Sequence, residues 1–292
     1  MTDRRTFLKQ SGLLSTGVFL KPNSLFEKKS NLKVGLQLYS VRDYIGKDVK
    51  GVIAKVAKAG YTEVETYGYD TAKRSFWGLS PADFKLLLND NGLTSSSGHY
   101  GMDEFLKSGS QDDLKACIDA GLALGQQTIV VPSTGGQYRK TLDDCNKLAA
   151  SLNKMGEICK QSGLSAGYHN HDAEFKPVEG VMLEDTLLKN TDPSLVGFEM
   201  DIYWVVRANQ DPIQLIKDHP GRFTMWHIKD MDKVKREINT EVGSGSIDFK
   251  EIFKYQAKSG VKHIFMEQEN FSMDPYESIT QSASYIKNSL LK

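Results

Sequence analysis

Gly163-Leu164-Ser165-Ala166-Gly167-Tyr168-His169-Asn170-His171-Asp172-Ala173-Glu174-Phe175 is the stretch on which the fold turns. A short apolar run after a long helical pattern reads as a buried strand. Its C-terminal end then opens into two imidazoles, an amide and two carboxylates. Burying such groups unpaired costs a few kcal/mol each, so packing alone does not put them there. The plan recurs three times downstream, in Val196-Gly197-Phe198-Glu199-Met200-Asp201, Phe223-Thr224-Met225-Trp226-His227 and His263-Ile264-Phe265-Met266-Glu267. Each apolar run ends in a side chain that can ligate a metal. Four strand ends meeting at one cation is the arrangement this predicts.

Working outward, strands and helices alternate from Leu32 onward. Strands are expected at 33–39, 62–67, 93–97, 128–132 and the four segments above. Helices are expected at 48–60, after the Ser80-Pro81 N-cap, at 112–125, 142–162, 181–189, 211–218, 248–259 and 276–290. Strand–helix alternation implies parallel pairing through right-handed crossovers. Eight such units predict an α/β fold of the (β/α)8 TIM barrel type, with chemistry at the C-terminal ends of the strands. A doubly wound sheet would need a glycine-rich phosphate turn after the first strand, and Leu38-Tyr39-Ser40-Val41-Arg42 offers none.

The 292 residues suffice for one large core. Lysine plus arginine, 37, equals aspartate plus glutamate, 37, so no net field favours nucleic acid or an acidic membrane. No apolar run approaches the ~20 residues of a membrane span. Cys145 and Cys159 share one expected helix at a separation of ~21 Å, beyond disulfide reach. Residues 1–30 read as a twin-arginine-type export signal or a disordered basic tail, on Asp3-Arg4-Arg5-Thr6-Phe7-Leu8-Lys9 and the apolar stretch 12–20. The expected location is therefore periplasmic or exported, and otherwise cytoplasmic, with residues 31–292 forming the barrel domain.

Of six histidines, His99, His169, His171 and His227 fall at expected strand ends. With Asp201 and Glu267 they make a mixed imidazole–carboxylate set, which suits one divalent ion such as Mn²⁺, Zn²⁺ or Co²⁺. Gln37, Glu65 and Trp204 are candidate sugar contacts, and Lys229, two residues past His227, is a candidate for the ligand oxygens. Glu199 reads as a structural group deeper in the barrel. The glycines of Val242-Gly243-Ser244-Gly245-Ser246 are expected to turn tightly beside the pocket.

From residue 32 onward the chain resembles the sugar phosphate isomerase/epimerase family of xylose isomerase-like TIM barrels. The resemblance rests on Gly35-Leu36-Gln37-Leu38-Tyr39-Ser40-Val41-Arg42, on residues 168–175, Asp201-Ile202-Tyr203-Trp204, His227-Ile228-Lys229-Asp230, residues 241–248 and Phe265-Met266-Glu267-Gln268-Glu269. It implies one divalent ion held by Asp201, His227, Glu267 and a first ligand at His169, where the family's epimerases have Glu; His171 is the alternative. It further implies a metal-dependent isomerase or epimerase on a small sugar or keto-sugar, working through a metal-stabilised enediolate. Glu267 or His171 would be the base, with Glu174 and His99 as proton partners. The histidine at the first ligand position also makes a keto-sugar lyase or dehydratase plausible. A non-catalytic sugar-binding barrel is the alternative of another class. Abasic-site endonucleases on the same barrel carry a histidine where this chain has Trp204, so no nucleic-acid partner is expected. A homo-oligomer is compatible with the resemblance.

Overall fold

The computed structural model describes residues 32–292. The expected export signal and the domain boundary near residue 30 lie outside the described residues. Eight strands form the barrel: β1 Val34–Gln37, β2 Glu63–Thr66, β3 Thr94–His99, β4 Thr128–Val131, β5 Ser165–His169, β6 Val196–Asp201, β7 Phe223–Ile228 and β8 His263–Met266. They close in the order β1-β8-β7-β6-β5-β4-β3-β2, and every neighbouring pair is parallel. The expected (β/α)8 barrel is the fold observed. Closure brings the β1 and β8 backbones together at Gly35, where a Cβ would collide with the Phe265 ring and the Ile264 carbonyl.

The principal helices are α1 Val49–Lys58, α2 Pro81–Asp90, α3 Asp112–Leu124, α4 Leu142–Gln161, α5 Leu183–Asn190, α6 Pro212–Asp218, α7 Phe249–Phe253 and α8 Pro275–Tyr285. Their starts follow local chemistry. Asp48, Ser80, Thr141, Asp211, Asp248 and Asp274 cap backbone N–H groups of the first turn, each such cap contributing about 1 kcal/mol. The ends are less regular than the sequence pattern suggests. The 248–259 helix breaks after Phe253 and resumes as a short turn at Gln256–Ser259, and the last helix widens into a π turn at Ile286–Leu290. The first strand stops at Gln37, because the Gln37 side chain accepts the Tyr39 N–H at 3.1 Å and starts a 3₁₀ turn.

Among the described residues no helix is long and apolar enough to cross a membrane. All three cysteines are buried and free, and burial pushes the Cys117 and Cys159 thiols up to about 12, so they serve as core residues.

One buried acid makes stability depend on pH. Burial pushes Glu184, in the first turn of α5, up to about 8 from its usual 4.5, and Glu174 adds to the rise. Its Oε2 has no hydrogen-bond partner among the described residues. Between those two pH values the folded chain holds a proton that the unfolded chain releases, so stability falls as pH rises through this window. Glu184→Gln should therefore leave Tm nearly unchanged near the lower limit and raise it above the upper one. Thermal melts across that range check this, and equal melting shifts at both ends would contradict it.

Candidate functional site

The C-terminal rim of the barrel surrounds a cavity of about 390 Å³ lined by Tyr39, Tyr67, Gly68, His99, Gly101, Pro132, Ser133, His169, His171, Trp204, Glu267 and Glu269. The volume lies within the ~300–1,000 Å³ usual for small-molecule sites. Because strand side chains alternate, residues two apart on one strand point the same way. Each contributing strand therefore supplies polar groups at successive depths, such as Glu199 and then Asp201, or His227 and then Lys229.

At the deeper level lie Glu65 and Glu199, both fully buried. Glu199 Oε2 meets His99 Nε2 at 2.6 Å, His169 Nδ1 at 3.0 Å and His227 Nε2 at 3.3 Å. Glu65 Oε2 accepts from Gln37 at 2.8 Å and meets His227 Nε2 at 2.7 Å, while its Oε1 accepts the Ser97 hydroxyl at 2.6 Å. Gln37 and Glu65 thus sit beneath the histidines, outside the cavity lining, with their polar atoms engaged inside the protein. One nitrogen of His169 and one of His227 face down onto these carboxylates.

The opposite nitrogens face a second group of acids. His227 Nδ1 lies 3.1 Å from Glu267 Oε2 and 4.0 Å from Asp201 Oδ2, and His169 Nε2 lies 3.8 Å from Asp201 Oδ2. Lys229 enters the same cluster, its Nζ 2.8 Å from Glu267, 2.7 Å from Glu269 and 3.3 Å from Asp201. It is buried, not a surface lysine. His171 lies to one side, its ring 5.0 Å from His169 and 5.3 Å from Trp204. Neither of its ring nitrogens has a hydrogen-bond partner among the described residues. Glu174 stands behind this loop, where it accepts the Tyr168 hydroxyl at 3.0 Å and the His171 backbone N–H at 2.8 Å. Trp226 is core, its indole N–H bonded to Ser259 at 2.9 Å.

The charges are strongly coupled. Burial alone would make His227 harder to protonate, yet Glu199, Glu267 and Glu65 hold its pKa well above the ordinary value. His99 is likewise raised, against burial, to about 9 by Glu65 and Glu199. His169 goes the other way, because burial and the neighbouring His227 and His99 disfavour a further cation. Burial also lowers His171. Glu199 and Glu267 are held well below the usual carboxylate range, the attraction of His227 and His99 in one case and Lys229 in the other outweighing burial. Burial raises Asp201 despite Lys229. These directions describe a centre neutralised by protons, which a divalent cation would displace.

The donor set fits such a cation. His99, His169, Glu199 and His227 form one group with ligand atoms within 4.8 Å of one another, and Asp201, His227 and Glu267 form a second. Glu199 Oε1 and Asp201 Oδ2 are buried without a hydrogen-bond partner, although Lys229 lies 3.3 Å from the latter at poor geometry. A buried carboxylate oxygen left this way is costly, and a bound cation would satisfy that of Asp201. The sequence pattern picked out Asp201, His227, His169 and Glu267 for this place. It read Glu199, two residues before Asp201, as a structural group deeper in the barrel, where the structure places it, and it passed over Glu269.

The 241–247 turn does not line the cavity. Its N–H groups at Gly243, Gly245 and Ile247 donate to the Asp230 carboxylate at 2.9, 3.0 and 3.1 Å. A Cβ on Gly245 would strike that carboxylate and the Met231 carbonyl. The chain's own acid occupies the anion nest that a phosphate would otherwise need.

Comparisons with known proteins agree with this architecture. The family profile described as xylose isomerase-like TIM barrel matches residues 53–289. The crystal structure of a sugar phosphate isomerase/epimerase from Parabacteroides distasonis superposes with a TM-score of 0.79 at 30% identity, covering 93% of this chain and 99% of that one. An inosose dehydratase of Clostridium botulinum is 29% identical over 198 residues, which are 56% of this chain and 65% of the dehydratase. An inosose dehydratase of Geobacillus thermodenitrificans is 26% identical over 247 residues, 71% of this chain and 81% of its own. The chain thus spans just under two thirds of the length of the first of these relatives.

Metal titration separates ligands from the residues behind them. The parent protein is expected to gain Tm on adding Mn²⁺, Zn²⁺ or Co²⁺, and Asp201→Asn and His227→Ala to abolish that gain. Glu199→Gln, which removes the charge behind His99, His169 and His227, should weaken affinity by about 10- to 100-fold. Equal, undiminished melting shifts in all three variants would place the ion elsewhere.

Proposed function

Because the chain belongs to the xylose isomerase-like TIM barrel family, we propose that it is a divalent-metal-dependent enzyme acting on a small keto-sugar or keto-cyclitol. The observation that carries this reading is the clustering of His169, Asp201, His227 and Glu267 at the barrel's C-terminal end, with His169 and Glu267 lining a sugar-sized cavity. These four would hold the ion, with Glu199 and Glu65 orienting the two imidazoles from below. When bound, the ion supplies Lewis acidity that makes the proton on the carbon beside a carbonyl more acidic.

The protein's own groups divide the remaining work. Glu267, kept ionised by Lys229, and His171, an unpartnered imidazole lowered by burial, are the two acceptors for that proton. Glu174 acts through the loop, fixing the His171 backbone at 2.8 Å. His99 faces the cavity and donates to a substrate oxygen. Trp204 lines the cavity and offers aromatic surface, which suits stacking on a sugar ring.

Elimination is the branch this arrangement favours. His169 stands where the resemblance places the first glutamate of the family's epimerases, so the matched pair of ligand glutamates that a symmetric epimerisation would use is not present. The two inosose dehydratase relatives support the same choice. Isomerisation or epimerisation, which the sequence pattern ranks first, keeps the support of the Parabacteroides distasonis structure.

Incubating the metal-loaded protein in D₂O with keto-inositols, ketoses and keto-glycosides, followed by NMR, tests the proposal. Release of water or an aglycone is expected; deuterium at the α-carbon without release would mean isomerase or epimerase chemistry. Absence of both with every substrate would sink the enzyme reading and favour a binding barrel. His171→Ala should retain the metal and lower kcat by about 10²- to 10⁴-fold if His171 is the base.

A further inference from the structure

We infer that the site selects uncharged sugars and rejects phosphorylated or carboxylated ones, and that Glu269 sets this selectivity. The inference rests on the proposed function for the place of the sugar and goes beyond it in naming the substrate class. No lysine or arginine lines the cavity, and the one raised imidazole that does, His99, is paired with Glu65 and Glu199, whereas Glu267 and Glu269 both line it. Lys229, which could have answered an anion, is buried and spent on Glu267, Glu269 and Asp201. The two arginines beside the aromatic wall stand outside the cavity lining, with N–H groups directed elsewhere. Arg42 donates to the carbonyls of Tyr39 and Glu269 at 3.2 and 3.1 Å, and Arg207 donates to the Tyr203 hydroxyl at 2.8 Å. The glycine-rich turn that might have cradled a phosphate holds Asp230 instead.

Glu269 is mounted rigidly. Its Oε1 takes the Lys229 ammonium at 2.7 Å, its backbone N–H donates to Asn239 Oδ1 at 2.8 Å, and its carbonyl accepts from Arg42. Its side chain is 30% exposed, and Oε2 has no partner among the described residues. A fixed carboxylate oxygen left open at a cavity wall accepts a hydroxyl hydrogen and repels an anion. Tyr39 and Tyr67, in edge contact at 5.2 Å, supply ring surface on the same cavity, which an uncharged sugar can use.

The test is a binding panel on the metal-loaded full chain by calorimetry. It pairs fructose, glucose and ribulose with their monophosphates, and adds glucuronate and a keto-inositol. The tightest ligand should be uncharged, and each phosphate should bind at least about tenfold more weakly than its parent at low salt, the gap shrinking in 1 M salt. Glu269→Gln, which keeps an acceptor for Lys229, should narrow the gap several-fold. An anion as tightest ligand, no uncharged ligand at all, or a gap unchanged in Glu269→Gln would each overturn the inference. The D₂O experiment keeps the two proposals apart. Turnover of a phosphate ester removes the selectivity and leaves the reaction, whereas absence of any turnover removes the reaction while the affinity ranking still decides the selectivity.

Discussion

Parallel closure of the barrel is the constraint from which the site follows. When eight parallel strands pair in a ring, every C-terminal end reaches the same rim. Side chains two residues apart on each strand then stack along the barrel axis. Segments separated by 162 residues, Glu65 and His227, are brought to 2.7 Å. No local interaction could hold them there; the registers of β1 on β2 and β8, and of β7 on β6 and β8, do so.

The second consequence is electrostatic. Glu65, Glu199, Asp201, Glu267 and Glu269 crowd around one lysine and three histidines at the barrel mouth. Such a collection is unfavourable in a low-dielectric interior unless the charges are answered in place. The two deeper carboxylates are answered by His99, His169 and His227, and the upper ones by Lys229 and, in the proposed working state, a divalent cation. The stack divides the labour. Lower acids fix ring orientation, upper atoms bind, and His171 and Trp204 border the space left for substrate.

The loops that follow the strands carry the individuality of this chain. Residues 230–247 fold back so that Asp230 fills their own N–H nest. Asn239 then accepts from the backbones of Glu269 and Asn270 at 2.8 and 3.0 Å, which fixes the carboxylate facing the cavity. Support of this kind converts a flexible acid into a directed one.

Much of this was legible in the residue order. Alternating periodicity and caps such as Ser80 and Thr141 are local signals, so the elements and their parallel connection could be read directly. The ligand-type residues at strand ends stood out because polar groups there violate the apolar pattern around them. Which imidazole faces the acids was not legible, since His169 and His171 share a spacing and differ only in how the chain leaves β5. Nor was the sinking of Gln37 and Glu65 beneath the histidines, the burial of Lys229, or the capture of the glycine turn by Asp230; the depth of Glu199 was. Sequence determines which side chains each strand offers and to which side they point. Depth, partner and charge state arise only when distant strands are registered against one another, because those properties belong to pairs of residues that the linear chain keeps far apart.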